Sequence, residues 1–295
     1  MKYNYKIVSI LSNGNDATVY KIKIGSLYYA LRRQKILDSE AHDFINTHLY
    51  NNIIFNEFIN KINKNHFAIL YKYKISSNCK FKQKLTDFTL NNSEKLKDYY
   101  LKEKSKYCLD MIIDLKDGII CDILYRLSRK QLYSMIIQCV YALNIMHKNG
   151  YYHNDLHNKN IMYKKTKIKT LKILNLNVPT YGYLWSIIDY NSVATSSQIS
   201  NNKIIIMCIN NYAYRDLMLF LCWTIFDSCS KLDKLIYKII INDSKIKDDP
   251  FFELFKVKPL SYEDTKNYIK YINNVPSLIK YFYNQIKFLS IQSAN

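Results

Sequence analysis

An α+β fold is what the sequence predicts, with a small antiparallel sheet opening the chain and a long amphipathic helix near its midpoint. Three observations predict it. Short β-rich runs crowd the first 33 residues, a helical period runs from Ser128 to Lys148, and 295 residues with 48% apolar content suffice for one large domain or two lobes.

Residues 5–11 and 18–25 are β-rich runs separated by SNGNDA, and Tyr28 to Arg33 makes a third, so the chain predicts a curled antiparallel sheet. Residues 39–63 read as helix on the spacing of Ile54, Phe58 and Ile62, and Phe67 to Ile75 resumes as strand. The polar stretch 76–106 has no period and reads as an insertion, Cys108 to Asp114 as an apolar strand, and Leu115-Lys116-Asp117-Gly118 as a turn or linker. From Ser128 to Lys148, Leu132, Ile136, Val140, Leu143 and Met146 share one stripe, with Ser128 as N-cap and Asn149-Gly150 as terminator. Ile161 and Met162 then form a small strand.

Seven cysteines, an odd number with no C-x-x-C pair and mostly in apolar runs, predict reduced, buried thiols of a cytosolic protein. Neither a signal peptide nor a membrane span is expected, because no uncharged apolar run is long enough. The net charge of +19 suits acidic partners such as nucleotide phosphates, acidic proteins, nucleic acid or an anionic membrane. In a chain skewed throughout toward Lys, Asn, Ile and Tyr, it indicates none of them specifically.

The chemistry concentrates in GYYHNDLHNKNIMY, residues 150–163, just past the long helix. His153-Asn154-Asp155-Leu156-His157-Asn158-Lys159-Asn160 resembles the protein-kinase catalytic loop H-R-D-L-x-x-x-N, and Ser186-Ile187-Ile188-Asp189-Tyr190 resembles the strand ending in the metal-binding D-F-G acid. The upstream order agrees: a turn from Ser12 to Val19, Ala30 and Arg32 on one strand, a helix with an acid, a linker. By itself the loop also fits an Asx turn made by Asp155 and Asn160.

The resemblance implies a bilobal protein-kinase-like fold: an N-lobe over 1–114 with one main helix, a hinge at 115–118 and a mostly helical C-lobe over 119–295. It implies ATP with Mg²⁺, or Mn²⁺ in its place. Asp155 would accept or orient the acceptor hydroxyl's proton, Asn160 and Asp189 would hold the metal, and His153 would support the loop. Gly14, Ala17, Val19 and Ala30 would line the nucleotide, and the backbone at Asp114, Leu115 and Lys116 would meet adenine. Glu57 is expected as the acid of the small-lobe helix, with Glu40 as rival.

Departures from the pattern are specific. Only Gly14 remains of the glycine-rich turn, Ser12 and Ala17 filling the other glycine positions, so the backbone approaches phosphate less closely. Arg32 stands where the strand lysine belongs, and a planar guanidinium does not replace an ammonium. Lys21, two residues after Val19, shares that strand face and is the alternative cation. Asn154 replaces the loop arginine, Asp189 is followed by Tyr190-Asn191-Ser192, and no A-P-E follows. Asp216, in YRDLMLFLCW, resembles the acid that buttresses the loop backbone.

The D-L-H and D-Y features resemble haspin-type kinases. With the middle insertion and skewed composition, the whole is similar to the poxvirus virion serine/threonine kinase family. That similarity implies phosphorylation of viral structural or assembly proteins in host cytoplasm and virion. A kinase-fold scaffold without turnover and a small-molecule kinase are the alternatives.

Overall fold

The computed structural model describes residues 4–13, 17–36, 48–62, 65–77 and 107–195, together with scattered helical positions from 216 to 290. Within them the fold is α+β, in two compact units: Met1–Lys64 with Ala68–Leu115, and Asn65–Phe67 with Lys116–Asn295.

The first unit is built on a five-stranded antiparallel sheet. Its strands are β1 (Lys6–Asn13), β2 (Ala17–Ile24), β3 (Leu27–Ile36), β4 (Leu70–Ser77) and β5 (Tyr107–Asp114), in the order β1-β2-β3-β5-β4. Gly25 sits at φ +59 in the two-residue turn between β2 and β3, a conformation an L side chain resists. One face carries Ile22, Leu31 and Ile112. The other packs Ile36, Leu70, Leu109 and Met111 against Leu49 and Ile53 of helix α1 (His48–Ile62).

The core side of α1 is not the stripe that sequence spacing selected. Ile54 and Ile62 are exposed, whereas Leu49, Asn52, Ile53, Asn56 and Ile59 are buried. Aliphatic residues occupy both sides of this helix, so periodicity alone left its rotation open. Residues 39–47 of the expected helix and most of the expected insertion lie outside the described residues.

The second unit is organised on α2 (Arg129–Lys148), whose Ser128 N-cap and Gln131 form a reciprocal capping box. All five stripe residues are buried, but so are Ser134, Gln138 and Asn144. Gln138 donates to the Tyr183 carbonyl at 3.2 Å and accepts from the Trp185 amide at 3.0 Å. Ser134 donates to the Pro179 carbonyl at 2.6 Å. This polar edge clamps the helix to the strands beside it, satisfying groups that burial would otherwise penalise.

Those strands are β6 (Gly118–Ile119), β7 (Tyr151–Tyr152), β8 (Ile161–Lys165), β9 (Thr170–Ile173), β10 (Leu176–Pro179), β11 (Tyr183–Ile187) and β12 (Ala194–Thr195). They pair antiparallel as β11-β8-β6, β10-β9 and β12-β7. Among the described residues the second unit therefore has more strands than a mostly helical lobe implies. The residues between Asn160 and Asp189 supply most of them, since Leu171, Ile173 and Val178 alternate with exposed neighbours as a half-buried hairpin requires.

Phe67 bridges to Ile187 and the His66 carbonyl accepts the Ile187 amide, which draws Asn65–Phe67 into this unit. Cys108 is disulfide-bonded, which corrects the expectation of reduced thiols throughout; Cys121 and Cys139 are free. No helix among the described residues is long and apolar enough to cross a membrane.

Candidate functional site

The loop after α2 is held from three sides. Asp216 is fully buried and accepts three hydrogen bonds: from the His153 amide (2.7 Å) and His147 Nε2 (3.0 Å) on Oδ2, and from the Asn154 amide (2.7 Å) on Oδ1. Two successive backbone N–H groups point at one carboxylate because Asn154 turns left-handed, at φ 63, which asparagine tolerates better than most residues. Its side-chain amide then donates to the Ser192 carbonyl at 3.0 Å.

His153 is fully buried and joins the loop to the strand opposite. Its Nε2 lies 2.9 Å from the Ile188 carbonyl, which can only accept, so Nε2 carries the proton and Nδ1 is left to accept the Asp155 amide at 3.4 Å. The ring is a strut between loop and strand. Tyr190 packs edge-on against it, with centroids 6.0 Å apart.

Asn160 closes the loop from the other end. It is buried, and its Nδ2 donates to the Asp155 carbonyl at 2.8 Å. Ile161 and Ile187 are register partners on β8 and β11, and the Ile188 amide donates to the Asn160 carbonyl at 3.0 Å. These bonds set Asp189, at φ 63, beside Asn160.

Asp155 is the exception in this braced loop. Its side chain is 55% exposed, against 0% for His153 and Asp216. The nearest charged or chargeable neighbour is His157, whose Nε2 stands 3.9 Å from Asp155 Oδ2. His157 Nδ1 accepts the Lys159 amide at 3.2 Å, and its Nε2 also lies 3.3 Å from Asn160 Nδ2.

The donors of Asn160 and Asp189 fit a hard divalent cation. With its N–H spent on Asp155, the Asn160 amide keeps a neutral oxygen, and Asp189 adds a carboxylate. Mg²⁺ accepts such a sparse set when water and phosphate complete its shell. Among the described residues no group of three or more His, Cys, Asp or Glu could hold a metal without such help.

In the first unit Val19 pairs with Arg32 and Lys21 with Ala30, so all four share the sheet face that carries α1. Ala30 is buried and Arg32 half-buried. The Lys21 ammonium lies 4.7 Å from the Tyr28 ring centroid. Ala17 opens β2, while Gly14 and Glu40 lie outside the described residues.

Glu57 is on the exposed side of α1 and forms no ion pair among the described residues, with Arg32 or with Lys21. About 100° back around the helix, Asn56 faces the interior. Its Nδ2 donates to Asn52, and its buried Oδ1 has no hydrogen-bond partner. The inward polar position is thus an amide that sequence reasoning passed over.

At the expected linker, Asp114 is buried and its Oδ1 accepts the Ile69 amide at 2.6 Å. Leu115 ends the first unit, and Lys116, which opens the second, donates to Ser186 Oγ at 2.9 Å.

His147 and Tyr190 were missed as members of the site. A histidine in the last turn of a helix leading straight into a polar loop was the available signal for the first. Comparison with known proteins adds no relative, since no family model and no curated protein matches the chain.

Proposed function

We propose that the chain is an ATP-dependent serine/threonine protein kinase of bilobal kinase fold, with the loop His153–Asn160 and Asp189 as its transfer centre. One observation carries the reading. Asp216 fixes two consecutive loop amides and His153 fixes the segment before Asp189, leaving Asp155 as the exposed carboxylate of a loop whose backbone is held in place.

Phosphoryl transfer asks the protein chiefly for positioning and charge. Asp155 accepts a hydrogen bond from the incoming hydroxyl and takes its proton as the bond to phosphorus forms and the bond from that phosphorus to the departing ADP oxygen breaks. Asn160 and Asp189 would hold Mg²⁺, whose charge would offset the negative charge that develops on the transferred phosphoryl group. The chain's Arg32, with Lys21 as the alternative, supplies the cation for the nucleotide phosphates. Motif resemblance to the poxvirus virion kinases points to virion assembly proteins as substrates.

Transfer of labelled phosphate from ATP to a generic acidic or basic protein tests the reading. Asp155→Asn keeps the volume and removes the base, so it should abolish transfer while leaving the circular dichroism spectrum unchanged. Equal turnover by variant and parent would refute the assignment.

A second reading, a kinase-fold scaffold that binds nucleotide without turnover, is favoured by Arg32 at the strand-lysine position and by the outward Glu57. Calorimetric binding of Mg-ATP by a parent chain that transfers no phosphate would support it.

A further inference from the structure

Between Asp155 and Asp189 the chain has no acidic residue and six lysines, although acids occur about once in twelve positions along the whole sequence. Five of the six fall within residues 164–172, and all five of these, Lys164, Lys165, Lys167, Lys169 and Lys172, are exposed. None is ion-paired among the described residues. The Asp117 carboxylate reaches this segment through its backbone, Oδ2 accepting the Lys165 amide at 2.6 Å.

The backbone that carries these lysines is fixed rather than loose. Thr166 N donates to the Gly182 carbonyl and Thr180 N to the Lys169 carbonyl, each at 2.9 Å, and Thr180 Oγ1 donates to the Ile168 carbonyl. Leu171, Ile173 and Val178 root the hairpin in the core. A skewed composition explains many lysines, but not a pinned arch from which every acid has been left out.

We propose that this arch is a docking site for an acidic segment of a protein substrate. The proposal rests on the kinase reading for what the docked segment is then used for. Nucleic acid is the poorer match: the five cations are all lysines, without the forked geometry of arginine, and no aromatic residue lies between Lys164 and Lys172 to stack a base. Strand β8 carries the chain about 13 Å from Ile161 to Lys165. An extended polypeptide needs at least roughly four residues to cover that length. The arch therefore selects acids displaced along the substrate from its phosphoacceptor, raising the effective concentration of that hydroxyl at Asp155.

Fluorescence anisotropy on the full chain carrying Asp155→Asn tests docking without any turnover. The probes are a labelled peptide with a run of glutamates beyond a serine, its glutamine counterpart, a single-stranded oligonucleotide and phosphatidylserine vesicles. The glutamate peptide should bind the Asp155→Asn chain about tenfold tighter than it binds a chain also carrying Lys167→Gln, Lys169→Gln and Lys172→Gln. Raised salt should erase the difference, and Lys6→Gln with Lys23→Gln should not reproduce it.

Equal binding of the glutamate peptide by the arch variant overturns the proposal. So does an arch-dependent loss confined to the oligonucleotide or the vesicles. A parallel transfer assay on the otherwise unmutated chain separates the two readings. Arch-dependent binding with no transfer keeps the dock and sinks the kinase, whereas transfer with no preference for the glutamate tail does the reverse.

Discussion

Asp216 makes three hydrogen bonds with no exposed surface, so its removal leaves two amides and one imidazole N–H unsatisfied in the interior. Asp216→Ala should lower stability by roughly 2–4 kcal/mol in urea unfolding, the scale of stranding buried donors of a charged acceptor. A loss of transfer larger than the loss of folded protein would show that the loop, rather than the fold alone, depends on it. Arg32 and Lys21 form the second residue-scale question. The Lys21 ammonium rests on Tyr28 whereas Arg32 extends the Ala30 face, so Lys21→Met should leave kcat/KM nearly unchanged and Arg32→Lys should preserve it. Arg32→Met should cost about 10²–10³ in kcat, as for one lost preorganised donor. Steady-state kinetics decide, and the reverse order would assign the phosphates to Lys21.

At the scale of elements, α2 shows how a helix can be legible in outline and opaque in detail. Its cap, stripe and terminator were all present in the sequence because each depends on residues within a turn of the helix end or on a repeating period. Ser128→Ala should therefore cost about 1 kcal/mol, measured as a shift in the denaturant midpoint with unchanged slope. The Ser134–Gln138 clamp to β10 and β11 was invisible, since its partners stand about 45 positions away and are backbone atoms with no side-chain signature. Helix α1 failed differently. With Ile54 and Ile62 outside and Asn52 and Asn56 inside, its hydrophobic pattern misleads, and Glu57, expected from the kinase resemblance, lies on the exposed side. The position of the loop His153–Asn160 was legible, because the Asn149-Gly150 terminator before it and the Ile161-Met162 strand after it are local signals. The Cys108 disulfide was not, because cysteine pairing is a fact of three dimensions.

For the whole molecule, acid sensitivity follows from one buried ring. Burial, reinforced by the nearby Lys116 charge, lowers the His66 pKa from 6.5 to about 4, although the Trp185 carbonyl opposes the shift. The folded value lies below the unfolded one. Stability is therefore full above pH 6.5, falls as the unfolded chain alone takes up the proton, and levels off below pH 4. The loss should reach about 3 kcal/mol. Urea titrations at pH 7 and pH 4.5 should show it, and His66→Gln should flatten the difference, since other titrating groups are common to both chains.

The brace at Asp216 also imposes an order on biosynthesis. Asp155, Asn160 and Asp189 leave the ribosome before it does, so a nascent chain already holds the groups proposed for transfer while nothing yet receives the His153 and Asn154 amides. Elongation runs from the N-terminus at a few residues per second or faster. For that interval the loop is chemically complete and mechanically unset. A chain stopped at residue 200 should therefore bear every proposed catalytic group and still transfer nothing, its activity withheld until the downstream acid arrives.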